Sequence, residues 1–130
     1  LISIIKLTVG YVSGTLGAGN LIWGNFAVGA TAPAGGTALT AKNNYLGGAA
    51  PKASVGQGHT ITTHTLLRST GINFGAVLAT TANPLAQVED VVDGGIIVPE
   101  QQALCVQGVA GAGTTPLLMF GLVWREIPNQ

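Results

Sequence analysis

Short runs of apolar residues alternate with polar or small residues along most of this chain, and glycine or proline separates one run from the next. Residues 2–12 are rich in Ile, Val, Thr and Tyr, and residues 21–28 continue the pattern after a glycine-rich turn. Alternating β-branched and aromatic residues are typical of strands. The sequence therefore predicts two strands here, with a β-bulge at Gly24 in the second.

The middle of the chain is less regular. A Pro/Gly loop at 29–37 leads to a short strand or irregular segment at 39–46, and a further short strand is predicted at 52–55. Residues 59–70 form the most threonine-rich predicted strand, and residues 72–78 form another. Strand-length runs with glycine-rich turns thus continue through this region.

Residues 80–93 allow two interpretations. Asn83 followed by Pro84 suits the N-cap and the first position of a helical turn. A solvated acidic loop fits this segment equally well. Neither interpretation includes an amphipathic helix of three turns, and no other segment predicts one.

The C-terminal third predicts three strands, at 95–98, 103–109 and 117–127. Pro99 and a Gly-Ala-Gly turn separate them, which predicts two hairpins. Both faces of the last strand are apolar, so it lies at the centre of the core or has its outer face covered by a neighbour. One face carries Leu118, Phe120, Leu122 and Trp124, and the other carries Leu117, Met119, Gly121, Val123 and Arg125.

Eight or nine short strands with glycine-rich turns predict an all-β fold, namely an antiparallel β-sandwich, jelly-roll-like, with about eight strands. The 130 residues predict one sandwich domain over 1–130. The chain starts at Leu1, inside the first predicted strand, so we expect it to lack an N-terminal segment. Its longest apolar run spans nine residues, too few to cross a membrane.

The amino-acid composition predicts that the domain works in an assembly and not as a free monomer. Charged residues make up 8% of the chain, hydrophobic residues 47%, and the net charge is zero, whereas a typical protein has about 25% charged residues. The five cations are scattered, which excludes a nucleic-acid partner. We therefore predict that copies of the chain cover much of its surface. The predicted assembly-interface residues are Met119, Val123, Arg68 and Arg125, with Arg68 available to an acid of the next copy.

Candidate chemistry is sparse. His59 and His64, five apart on one predicted strand, would point to opposite faces and could not share a metal ion. Cys105 is the single cysteine, and the glycine-rich turns lack the ending of a phosphate-binding loop. No metal, cofactor or catalytic residue is predicted. The acidic residues are interpreted as a solvated turn and the tryptophans as core anchors; these are Glu89, Asp90 and Asp93, and Trp23 and Trp124.

The C-terminal residues resemble a known kind of protein. The matching positions are Gly94–Pro99, Ala103–Val106, Ala110–Thr115 and Trp124–Pro128. In this order they resemble the ending of jelly-roll virion structural proteins of tailed phages and environmental viruses. That resemblance implies a single jelly roll that assembles on particles as trimers, or as fibre and decoration subunits. Glu100 departs from the pattern, which commonly has a second Pro or Gly there.

Resemblance and composition together predict a non-enzymatic virion structural protein, of the capsid-associated decoration (cement) or fibre type. It would form a homo-oligomer, with a trimer favoured, bind other virion proteins such as a major capsid protein, and bind no nucleic acid or membrane. It would be assembled in the host cytoplasm and end in the virion. The alternatives are a carbohydrate- or receptor-binding β-sandwich module at a phage tail tip or cell surface, and a secreted filament or matrix subunit.

Overall fold

The computed structural model describes residues 1–15, 17–27, 34–61, 64–73, 87–111 and 115–128. These residues form eight strands and no helix, and every strand pair is antiparallel. The predicted all-β sandwich is confirmed. The strands are β1 (Ile2–Thr15), β2 (Ala18–Ala27), β3 (Ala34–Leu39), β4 (Val55–Thr60), β5 (Thr65–Asn73), β6 (Gln87–Val98), β7 (Gln102–Ala110) and β8 (Thr115–Glu126).

Two three-stranded sheets form the sandwich. Sheet A has the order β6-β1-β8, sheet B has the order β5-β2-β7, and β3 and β4 pair with each other. The nested pairs β1 with β8 and β2 with β7 give the jelly-roll-like arrangement. The third strand of each sheet, β6 or β5, lies on the other side of β1 or β2.

The two predicted C-terminal hairpins are wrong. Strands β6, β7 and β8 alternate between sheets A, B and A, so that β7 pairs with β2 and β8 with β1. A tight corner at 99–101 connects the sheets: Gln101 has φ 64° and the Gln102 N–H donates to the Pro99 carbonyl at 3.3 Å. Because successive strands lie in opposite sheets, their apolar faces pack against each other across the core. In a hairpin, successive strands would be neighbours in one sheet.

The core lies between the two central strands. Leu7 and Val9 of β1 and Leu21 and Trp23 of β2 are fully buried, because each strand has a neighbour on both sides and a sheet across from it. The prediction that Trp23 is a core anchor is confirmed. The remaining buried apolar residues are Ile4, Ile72, Val92 and Val98.

The predicted bulge in the second strand is confirmed, since the register between β2 and β5 shifts between Trp23 and Gly24. A second irregularity interrupts the pairing of β1 with β6 between Ile4 and Lys6. There Asp93 and Gly94 adopt φ values of 46° and 79°. Both bulges change which side chains face the core on either side of them.

The middle of the chain differs most from the expectation. The predicted strand at 59–70 is wrong, because β4 ends at Thr60 and β5 begins at Thr65 in a different sheet. Part of the predicted 29–37 loop is strand β3, and 52–54 lie outside any strand. Threonine favours strands on either side of the break, so propensity alone did not locate it.

The acidic segment also differs. Residues 80–86 and 74–78 lie outside the described residues, so the helical turn and the end of the 72–78 strand stay predictions. From Gln87 onward the chain is strand β6, and the solvated loop is wrong there. Val88, Asp90 and Val92 alternate toward sheet B, a period-two pattern that the adjacent acidic residues obscured.

The last strand is not central. β8 forms an edge of sheet A, with Leu118, Leu122 and Trp124 packed against the core. Phe120 projects from the same side, because a Cβ on Gly108 of the opposite sheet would lie 3.5 Å from its Cζ, although the ring stays partly exposed. The other face of β8 also carries apolar side chains, and no second layer covers Leu117 and Met119.

Candidate assembly interface

Three of the four predicted interface residues share one face. Met119, Val123 and Arg125 occupy alternate positions of β8, opposite to the side chains that pack on the core. Met119 and Leu117 are 67% and 58% exposed, Val123 is half-buried and Arg125 is exposed. We call this surface the outer face of sheet A: the side chains of β6, β1 and β8 that point away from sheet B.

The centre of the outer face is shallow. Gly10 of β1 lies opposite Met119, and Thr8 lies opposite Gly121. A Cβ on Gly10 would meet no atom within 4 Å, and Thr8 Oγ1 donates to the Gly121 carbonyl at 3.3 Å. Small residues flanked by longer apolar ones leave a shallow depression along the sheet, into which side chains of another surface can pack.

Sequence reasoning missed one apolar contributor to this face. Val91 is exposed and lies opposite Lys6, which in turn lies opposite Val123. The missing signal was the strand assignment of β6: once residues 88, 90 and 92 point inward, Val91 must point outward. Apolar side chains of β8 and β6 thus lie on either side of Lys6, Thr8 and Gly10 of the central strand β1.

An ion pair lies within this apolar surface. Lys6 Nζ is 3.7 Å from Glu89 Oε2, and both side chains are partly exposed. The two charges cancel, so two copies of the face can approach without strong repulsion. Exposed pairs of this kind contribute about 0–1 kcal/mol to stability. The main effect of this pair is therefore to keep the outer face electrically neutral.

The outer face has a small footprint. Three strands spaced by about 4.8 Å and about 40 Å long cover roughly 550 Å². A standard stable protein–protein interface buries about 800 Å² on each partner. A second contact would enlarge an assembly interface built on this face.

Arg68, the fourth predicted interface residue, lies elsewhere. Its Nη2 donates to Asp90 Oδ2 at 2.6 Å, and its guanidinium lies 5.3 Å from the centre of the Trp23 ring. The Trp23 indole N–H donates to the same carboxylate oxygen at 3.0 Å. The structure thus pairs Arg68 with an acid of its own chain, at the β5–β6 edge of the sandwich, where the pair joins the two sheets.

The three clustered acids are separated by the fold. Glu89 points to the outer face, Asp90 points between the sheets and Asp93 lies in the β6 bulge. Alternation along one strand places adjacent carboxylates on opposite sides. This arrangement does not provide the two facing carboxylates that glycosidase chemistry uses.

The histidines lie in different elements, so the prediction that they share a strand is wrong. His59 belongs to β4 and lies against Gly36 and Gly56, whereas His64 precedes β5 and lies against Gly24. Among the described residues, no group of three or more His, Cys, Asp or Glu side chains could hold a metal ion.

Cys105 and the His64 ring both lie next to Gly24. The surroundings of Cys105 nevertheless favour its protonated thiol over the thiolate. Burial raises the pKa of Cys105, and its Sγ donates to the Gly24 carbonyl at 3.3 Å. A nucleophilic or metal-binding cysteine needs the thiolate. This geometry is that of a packed thiol.

A small cleft opens at one end of the sandwich. Its volume is ≈ 50 Å³ and its lining includes Gly19, Gly108 and Leu118. None of its lining residues has a titratable side chain. The cleft can take a small apolar group but supplies no acid or base.

Glu126, at the end of β8, fixes a distant segment. Its Oε1 accepts hydrogen bonds from the backbone N–H groups of Lys52 and Ala53, at 2.8 and 2.9 Å. The Ala53 and Lys52 N–H groups, with the Trp124 indole and the Lys52 charge, lower the pKa of Glu126. Sequence reasoning missed this contact, because a single glutamate at a strand end carries no distinctive pattern.

Comparison with known proteins gave no relative: no family model, no curated protein and no solved structure matches the chain. The described residues contain no helix that is long and apolar enough to span a membrane.

Proposed function

We propose that this chain is a virion structural protein, of the capsid-associated decoration (cement) or fibre type, which acts by oligomeric assembly and catalyses no reaction. The observation that carries the assembly proposal is the exposed apolar outer face of sheet A, with Leu117 and Met119 at its edge. The virion assignment rests on the resemblance of residues 94–128 to endings of virion proteins. A trimer is the favoured state.

The physical argument compares covered and uncovered surface. Only 8% of the residues are charged, so charge gives the free chain little protection against aggregation. The outer face of sheet A carries exposed apolar side chains and an ion pair whose charges cancel, which suits an interface between copies. Closed symmetric contacts bury such faces without leaving one exposed at the end of the assembly.

Location and partners follow from this proposal. The subunit would be assembled in the host cytoplasm and carried in the virion, next to a partner such as a major capsid protein. Nucleic acid and membrane are not proposed as partners. The five scattered cations do not form the basic patch that phosphate recognition requires.

Sedimentation velocity at micromolar concentration tests the assembly, with two matched leucines. Leu117 and Leu66 are 58% and 57% exposed, but Leu66 lies on β5 of sheet B. We expect the wild-type chain to be oligomeric, Leu117→Lys to shift it toward monomer, and Leu66→Lys to leave it oligomeric. A monomeric wild type contradicts assembly; equal effects of the two substitutions place the interface elsewhere.

The virion assignment needs a separate test. Particles purified from the source should contain peptides of this chain at a fixed ratio to the major particle protein. Finding the chain in the soluble fraction and never in particles would contradict the virion assignment, and would leave the assembly result standing.

A carbohydrate- or receptor-binding module is the second candidate. The observation that favours it is Tyr45, an exposed ring on a hydrogen-bonded turn, because exposed aromatic rings stack on sugars. Glycan-array binding that Tyr45→Ala abolishes would favour this candidate over the structural subunit.

A further inference from the structure

The segment that holds β3 and β4 lacks a core of its own. We call residues 34–61 the arm. Within the described chain, β3 and β4 pair only with each other, all six residues of β3 are exposed, and so are the last five of β4. A two-stranded hairpin is at best marginally stable alone. The arm therefore gains from a surface that covers it.

The turn of the arm is ordered and presents two large side chains. The Tyr45 N–H donates to Asn43 Oδ1 at 2.9 Å, the Asn43 amide donates to the Ala49 carbonyl at 3.0 Å, and the Gly48 N–H donates to the Tyr45 carbonyl at 2.9 Å. Tyr45 and Leu46 are 77% and 91% exposed. A turn held in this way loses little entropy when it binds.

Charge distinguishes the arm from the rest of the chain. The arm contains Lys42 and Lys52 and no acid, whereas the remainder has three cations and five acids. The arm is thus net positive and the rest net negative, by two charges each. Opposite charge steers the arm of one copy toward the body of another.

The acids of the body differ in whether they are already engaged. Glu89 and Asp90 form ion pairs, Glu126 binds the arm of its own chain, and Glu100 is engaged as well. Asp93 is exposed in the bulge of the edge strand β6. It is the acid that the described intrachain contacts leave available.

We infer that the arm forms the second assembly contact, with Leu46 and Tyr45 packed against the body of a neighbouring copy and Lys42 paired with that copy's Asp93. This inference rests on the proposed assembly function. It also enlarges the contact made by the outer face of sheet A. Leu46 beside Tyr45 favours a protein surface over a sugar, because the leucine offers no hydrogen bond.

Charge exchange tests the pairing. Lys42→Glu and Asp93→Lys are each expected to weaken self-association about tenfold, and the double variant is expected to restore it to within about threefold. Leu46→Ser should weaken association, while the matched Leu66→Ser should not. All four positions are exposed, so circular dichroism should stay unchanged and serve as the folding control. The melting temperature should stay unchanged for the variants at 42, 46 and 66, whereas Asp93→Lys should lower it because residue 93 has φ 46°.

The outcomes separate this inference from the proposed function. If the wild type is monomeric, both fail. If Leu117→Lys dissociates the oligomer but the variants at positions 42, 46 and 93 do not, assembly stands and the arm contact is wrong. If Leu46→Ser or Lys42→Glu abolishes glycan binding and leaves the oligomer intact, the arm is a sugar site and the inference is overturned.

Discussion

Strands β1 and β3 both pair in antiparallel ladders but have very different surroundings. β1 pairs on both sides and faces sheet B, so Leu7 and Val9 are fully buried. β3 pairs with β4 alone, and each of its residues is exposed. The comparison teaches that a strand ladder forms without a core, whereas burial, which provides most of the stability, requires a second layer.

The same division applies to charge. The body uses Arg68 with Asp90 between its sheets and Lys6 with Glu89 on its outer face. The arm carries positive charge without any acid of its own. Most acids of the body are thus engaged within the chain, whereas the arm and the outer face of sheet A carry large exposed apolar side chains.

Two leucines give the largest expected difference between body and arm. Leu21 in β2 is 0% exposed and Leu39 in β3 is 43% exposed. Leu21→Ala should lower the free energy of unfolding by about 2–5 kcal/mol, because it leaves a cavity between the sheets. Leu39→Ala should lower it by less than about 1 kcal/mol. Urea denaturation of both variants measures the difference, and equal losses would show that the arm belongs to the same cooperative core.

The Asp90 carboxylate should have the next largest effect. Asp90→Ala removes the acceptor of both Arg68 and the Trp23 indole, and leaves a partly buried cation unpaired, so we expect a loss of about 1–3 kcal/mol. The control is Glu89→Ala, whose partner Lys6 is partly exposed, with an expected loss below about 1 kcal/mol. Similar losses in the two variants would mean that Asp90 does not link the sheets.

The sequence predicts the fold class well because period two is a local signal. Residues 2–12 and 21–27 alternate as half-buried strands do, and Gly24 marks the bulge. Sheet membership is not local. The turn at Pro99 is equally compatible with a hairpin and with a crossing between sheets. Pairing of β8 with β1 joins residues that are 100 or more positions apart.

For the candidate interface, too, the sequence predicts which residues share a face of one strand but not which distant residues they contact. Met119, Val123 and Arg125 share a face because alternation requires it. Arg68 was predicted at a contact between copies, but its partner Asp90 was hidden in a segment interpreted as a loop. Lys52 and Ala53 bind Glu126 from 74 and 73 residues away, and a contact this distant follows only from the assembled fold.

The smallest expected effect concerns the joint between body and arm, and it depends on pH. The pKa of Glu126 is lowered in the folded chain, so the ionised carboxylate favours the native state. This contribution is complete above the unfolded pKa and is lost as the pH falls through the lower, folded pKa. Hydrogen exchange should therefore show the Lys52 and Ala53 amides keeping their protection above about pH 4.5 and losing it as the pH is lowered further. The amide of Leu7, in the centre of sheet A, should keep its protection. Glu126→Gln should remove the pH dependence while keeping an acceptor oxygen, and Glu126→Ala should abolish the protection at every pH. Wild-type protection at Lys52 and Ala53 that does not change over this range would contradict the assignment of Glu126 as the anchor of the arm.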